Sequence, residues 1–142
     1  MEIFNANFAM EYNKMNVLGL GFRASATLDS FKTGVSGTNF LDKIDLIAVP
    51  HDKIKNPMLI RFASFRGLDV MPISEESMSL QTTDTISQYS KLYKSVGSVA
   101  EAVALAGAGK NSILIVTRVI SEDRLVSAAV AGCSLRNERD QS

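Results

Sequence analysis

Only one cysteine, Cys133, and one histidine, His51, occur in the 142 residues. A lone cysteine excludes an intramolecular disulfide and fits a reducing cytoplasm. One Cys and one His also exclude an ordinary Cys/His zinc site, so no metal is expected. Charge of one sign is missing as well. Lys plus Arg and Asp plus Glu each number 15, for a net charge of zero. A duplex-binding chain carries a clear basic excess, so nucleic-acid binding is disfavoured. Long apolar runs are absent too. The stretch Leu125–Cys133 is about half the length of a membrane span, and the N-terminus lacks the basic and apolar regions of a signal peptide. A cytoplasmic protein without membrane contact is the expectation.

What is present is ordinary for a globular domain. Apolar residues make up 46% and charged residues 21%, which rules out disorder over most of the chain. The length suits one domain, large enough to hold a core unaided. Its boundaries are expected at residues 15–134, with 1–14 as a leader and 135–142 as a polar tail.

Short apolar runs alternate with helical patterns. Asn16–Gly21 reads as a buried strand that enters a tight turn at its glycines. Leu28, Phe31 and Val35 then share a helical face, with Thr27 as its cap. Ile44–Val49 is a second strand, closed by Pro50. Pro57 opens a helix, Leu59, Phe62 and Ala63 form its core stripe, and Gly67 ends it. Leu68–Ile73 reads as a third strand, and Pro72 places it at an edge. Residues 74–83 read as a loop with about one helical turn, and Ile86, Tyr89 and Tyr93 mark another helical face. Ser98-Val99-Ala100-Glu101 has the form of a capping box, in which Ser98 caps a helix and Glu101 reaches back to it. Ile113–Thr117 and Leu125–Ala131 close the chain as a strand pair. Nearly continuous apolar strands alternating with helices predict a three-layer α/β/α sandwich. Its sheet is expected to be mainly parallel but mixed, with about five strands.

Three loops carry the candidate site. Gly19-Leu20-Gly21-Phe22-Arg23-Ala24 follows a strand and precedes a helix. It matches the loose dinucleotide fingerprint, G-x-G-x-x-A, so a nucleotide-binding module is one reading. Asp52 is the nearest acid for the ribose of such a ligand, and it lies later than usual. Lys53 stands just past the second strand, and Gly97-Ser98 precede the last helix. If all three loops lie at the carboxyl ends of strands, then Gly19, Gly21, Phe22, Arg23, Lys53, Gly97, Ser98 and Glu101 bound one rim. A ligand bearing several carboxylates would meet Arg23, Lys53 and free amides there. His51 reads as a loop histidine and Cys133 as a small hydrophobe. No residue pattern names a catalytic group or a cofactor.

These landmarks together resemble one family. Gly19-Leu20-Gly21-Phe22-Arg23, Ala48 leading to Asp52-Lys53, Pro57, and Val96-Gly97-Ser98-Val99-Ala100-Glu101-Ala102 look like the CobE family, the same family as the C-terminal domain of the CbiG cobalamin-biosynthesis proteins. The resemblance runs from about Asn16 to Ala131. Many members carry Cys and two basic residues after the glycines. Here Phe22 replaces the Cys, Arg23 keeps the first basic residue and Ala24 replaces the second. Lys55 and Asn56 stand where CbiG-type members often have acids, and the chain looks like the stand-alone CobE form. The resemblance implies binding or carrying of a corrin-ring intermediate such as a precorrin, with other cobalamin-pathway enzymes as partners. The alternative it implies is hydrolysis of a cobalt-precorrin-5A-type lactone, the CbiG-like reaction.

Overall fold

The computed structural model describes residues 15–81 and 96–133. A five-stranded mixed sheet forms its middle layer, with spatial order β3-β2-β1-β5-β4. The strands are β1 (Asn16–Phe22), β2 (Leu46–Pro50), β3 (Val70–Ile73), β4 (Ser112–Ile120) and β5 (Val126–Cys133). β1 pairs in parallel with β2, and β2 with β3. β5 returns antiparallel beside β1, and β4 beside β5. The expected α/β sandwich is therefore what the chain forms. The closing strand pair inserts β5 at the centre and leaves β4 at the edge.

Side-chain alternation decides what lies on each face. Leu18, Leu20 and Phe22 of β1, Ile47 and Val49 of β2, and Val126, Ala128 and Val130 of β5 point to one face. Helices α1 (Leu28–Ser36) and α2 (Pro57–Arg66) cover it. Phe31 from α1 packs edge-on against Phe22 with ring centroids 5.0 Å apart, and stacks on Phe62 from α2 at 5.8 Å. Each such fully buried side chain contributes roughly 1.5–3 kcal/mol relative to exposure.

On the opposite face small residues make the centre of the contact with the long helix, flanked by Val17, Leu46 and Ile73. Ala48, Ala129 and Ala131 meet Ala100, Ala104 and Ala108 of the long helix α4 (Val96–Ala108). Small residues on both sides let helix and sheet approach closely. A Cβ added to Gly19 would stand 2.2 Å from the Ala100 carbonyl oxygen and 2.6 Å from the Ala104 nitrogen. Both distances are far inside van der Waals contact, so only glycine fits there. Helix α3 (Glu75–Gln81) completes this layer through Met78.

Local signals explain most helix ends. Asn56 caps α2 by accepting from the Met58 and Leu59 amides at 2.9 and 3.1 Å. Gly67 ends α2 in the left-handed region at φ 70°, where a side chain is strained. Thr27 caps α1 as expected. Its hydroxyl accepts from the Ser30 amide at 3.1 Å while the Ser30 hydroxyl accepts from the Thr27 amide at 3.0 Å.

Several expectations need correction. Gly19 and Gly21 lie inside β1, opposite Ala129 and Ser127 of β5, and the chain turns only after Phe22. The glycine turn of a dinucleotide site is therefore not formed. β1 continues because β5 offers it an antiparallel partner along its whole length. Helix α4 begins at Val96, ahead of Ser98, so Ser98 is a helical residue and not the cap. Residues 75–81 form a regular helix rather than a loop. The Ser98 side chain, the helical face at Ile86, Tyr89 and Tyr93, and the leader and tail proper lie outside the described residues. Among the described residues, no helix is long and apolar enough to cross a membrane.

Candidate functional site

Three parallel strands run in the same direction, so their carboxyl ends share one edge of the sheet. β1 delivers Arg23 to that edge. β2 ends at Pro50, and a single 3-10 turn, His51–Lys53, follows it. β3 ends at Ile73, and Ser74 starts α3 by accepting from the Ser77 amide at 3.1 Å. A cleft of about 420 Å³ opens along this edge. Its lining includes Gly21, Phe22 and Arg23 from the end of β1, and His51, Asp52 and Lys53 from the turn after β2. Glu75 and Met78 of α3 and Val99 of α4 close it. This is the crevice where open α/β sheets bind ligands. Its size falls within the range of small-molecule sites, about 300–1,000 Å³.

The floor is apolar and the rim is charged. Phe22 and Met78 are buried, whereas Arg23, His51, Asp52 and Glu75 are exposed. Lys53 is half-buried, and its ammonium stands 5.9 Å from the Phe22 ring centroid. The ring face thus holds the Lys53 cation at the cleft by a cation–π contact. Phe22 thus contacts both the core, through Phe31, and the cleft, through Lys53. Arg23 and Lys53 form no ion pair with Asp52, Glu75 or any other described residue, so within the described cleft both can meet a ligand.

The structure brings together Gly21, Phe22, Arg23 and Lys53 from the expected set. Val99 carries the first turns of α4 to the same cleft, which brings Gly97 and Ser98 to that end of the helix. Two others lie elsewhere. Gly19 faces α4, where it permits close packing. Glu101 accepts the Arg118 backbone N–H at 3.0 Å. That amide lies where the β4–β5 register shifts between Val116 and Val119. Such an irregularity leaves an amide without a ladder partner, and the Glu101 carboxylate supplies one. Glu101 therefore joins α4 to the edge strand.

Glu75, Met78 and His51 line the cleft although sequence reasoning did not place them there. The signal for Glu75 and Met78 was Ser74-Glu75-Glu76, a serine followed by acids, which marks a helix start. Among the described residues, no group of three or more His, Cys, Asp or Glu could hold a metal ion.

A second polar cluster lies apart from the cleft. Asp123, in the turn between β4 and β5, accepts from the Ser30 hydroxyl at 2.6 Å, the Ser121 hydroxyl at 2.7 Å and the Leu125 amide at 3.1 Å. The Ser30 bond, then the Ser121 bond, holds its carboxyl below the usual carboxylate range. This cluster ties the start of α1 to the closing hairpin.

The family model for the cobalamin synthesis G C-terminus matches residues 16–131. The chain belongs to that family. Solved structures agree. The chain is 25% identical to a cobalamin biosynthesis protein chiG from Agrobacterium tumefaciens, covering 84% of this chain and 99% of that one, with a TM-score of 0.66. It is 20% identical to CobE, a protein of the cobalamin (vitamin B12) biosynthetic pathway, covering 83% of this chain and 89% of that one at a TM-score of 0.63. A cobalamin biosynthesis protein G homologue from Sulfolobus solfataricus is also 20% identical, at a TM-score of 0.63. The match covers 83% of this chain but 36% of that one. The two likenesses at 20% show the shared fold alone. No curated protein matches the sequence.

Proposed function

We propose that this cobalamin-biosynthesis domain binds and carries a corrin-ring intermediate in the cleft at the carboxyl edge of β1, β2 and β3. The observation that carries the reading is the pairing of two cations, Arg23 and Lys53, neither ion-paired with a described residue, with an apolar floor of Phe22, Met78 and Val99 in one crevice. Corrin intermediates are flat, apolar in their ring faces and edged with acetate and propionate groups. An apolar floor suits the ring, and the two cations suit its carboxylates. Capture of this kind needs no catalytic group, and among the described residues no serine, threonine or cysteine lines the cleft. Hydrolysis of the ring lactone, the CbiG-like alternative, is decided by the same experiment. Purified protein is titrated with hydrogenobyrinic acid, and separately with a precorrin, while the visible spectrum and the pigment mass are followed. A spectral shift without a mass change supports the carrier. A mass change replaces it with the hydrolase. Absence of any spectral response refutes both.

A further inference from the structure

The cleft is electrostatically two-sided, and this has consequences for which corrin it accepts. β1, β2 and β3 are hydrogen-bonded neighbours in that order. Adjacent strands lie about 4.8 Å apart, so the ends of β1 and β3 are separated by about 10 Å. Arg23 marks the β1 end. The turn after β2 carries His51, Asp52 and Lys53 in the middle. Glu75 stands at the β3 end. Asp52 and Lys53 offset each other in the middle, so the two ends of the rim differ in sign, cationic at Arg23 and anionic at Glu75.

We propose that Glu75 is a specificity-determining residue, which accepts a hydrogen bond from an uncharged donor on the ligand edge and disfavours a carboxylate there. The proposal rests on the corrin reading above. Glu75 is exposed and makes no side-chain hydrogen bond or ion pair with another described residue, so its carboxylate has acceptor capacity to spare. A negative charge in the first turn of α3 also favours that helix through its dipole. Glu76 occupies the same turn and is equally exposed, yet it does not line the cleft. Helix stabilisation therefore explains both acids, whereas facing the ligand distinguishes Glu75. A macrocycle carboxylated all round its edge cannot avoid setting one carboxylate against Glu75. An amide or ring N–H in that place would be accepted instead. The preferred ligand is thus a corrin with carboxylates along the Arg23–Lys53 side and a neutral donor at the Glu75 side.

The test compares the wild-type protein, Glu75→Gln and Glu76→Gln by titration with hydrogenobyrinic acid and with its fully amidated derivative. Removal of one close like charge in a solvated cleft should tighten binding of the acid about fivefold in Glu75→Gln. Binding of the amidated pigment should weaken in the same variant, because a charged acceptor becomes a neutral one. Glu76→Gln should change neither affinity. Equal effects on both pigments, no effect, or the same behaviour in Glu76→Gln would overturn the assignment while leaving the corrin reading intact. A wild-type protein that binds neither pigment removes the corrin reading and the assignment with it.

Discussion

Replacement of Gly19 by alanine tests the packing that sets the helix beside the cleft. The added Cβ would meet the Ala100 carbonyl oxygen at 2.2 Å, the Ala104 nitrogen at 2.6 Å and the Ala104 Cβ at 2.7 Å. Two of these atoms are backbone, so no rotamer change relieves the clash. Ordinary contact requires α4 to retreat by about 1 Å, and that gap strips dispersion contacts from the small-residue interface. Overpacking costs about 1–3 kcal/mol, and a clash with helix backbone belongs at the upper end. Relief of glycine's entropy in a strand returns about 0.5–1 kcal/mol. The net expectation is a loss of about 2 kcal/mol, read as a lower midpoint in urea with an unchanged slope. Gly107→Ala is the internal control. Its Cβ would meet only side-chain atoms, Ala48 Cβ and Val17 Cγ1, both at 3.0 Å. Alanine also gains about 1 kcal/mol of helix propensity there, so Gly107→Ala should fall within about 1 kcal/mol of the wild type. Equal stability of Gly19→Ala and the wild type would refute the close approach of α4 to β1.

Other perturbations have defined outcomes. Asp123 has a depressed carboxyl pKa in the folded state, so its contribution is fully present above the usual Asp range, about pH 4, and is lost as pH falls through the depressed value. The stability gap between the wild type and Asp123→Asn, measured by urea unfolding, should therefore be constant near neutrality and shrink in acid; a gap independent of pH contradicts this. Glu101→Ala leaves the Arg118 amide without its acceptor and should lower stability by about 1 kcal/mol, while hydrogen exchange at that amide accelerates. Unchanged exchange there would detach Glu101 from the edge strand. Thr27→Ala removes the cap of α1 and should cost about 1 kcal/mol in thermal unfolding.

The sequence was most legible where short-range chemistry decides structure. Asn56-Pro57 and Gly67 bracket α2 because cap, missing N–H and left-handed backbone are all local properties. Thr27 was legible for the same reason. Two readings failed where a distant partner intervened. Gly19 and Gly21 read as a turn, but β5, more than a hundred residues later in the chain, extends the strand through them. Ser98 and Glu101 read as a capping box, yet the carboxylate is drawn to an amide freed by the irregular β4–β5 register. No property of residues 98–101 predicts that irregularity. In the cleft, Arg23 and Lys53 followed from strand ends alone. Glu75 required knowing that β3 lies parallel beside β2, which edge placement of Pro72 only hinted at.

The central claim is that Arg23 and Lys53 receive the carboxylates of a corrin. Its most direct measurement is the affinity of Arg23→Ala and Lys53→Ala for hydrogenobyrinic acid, with thermal midpoints recorded alongside. Each charge-assisted contact is worth about 1.5–3 kcal/mol, so each variant should bind about ten- to a hundredfold more weakly, with nearly unchanged melting. Wild-type affinity in both variants would contradict the account.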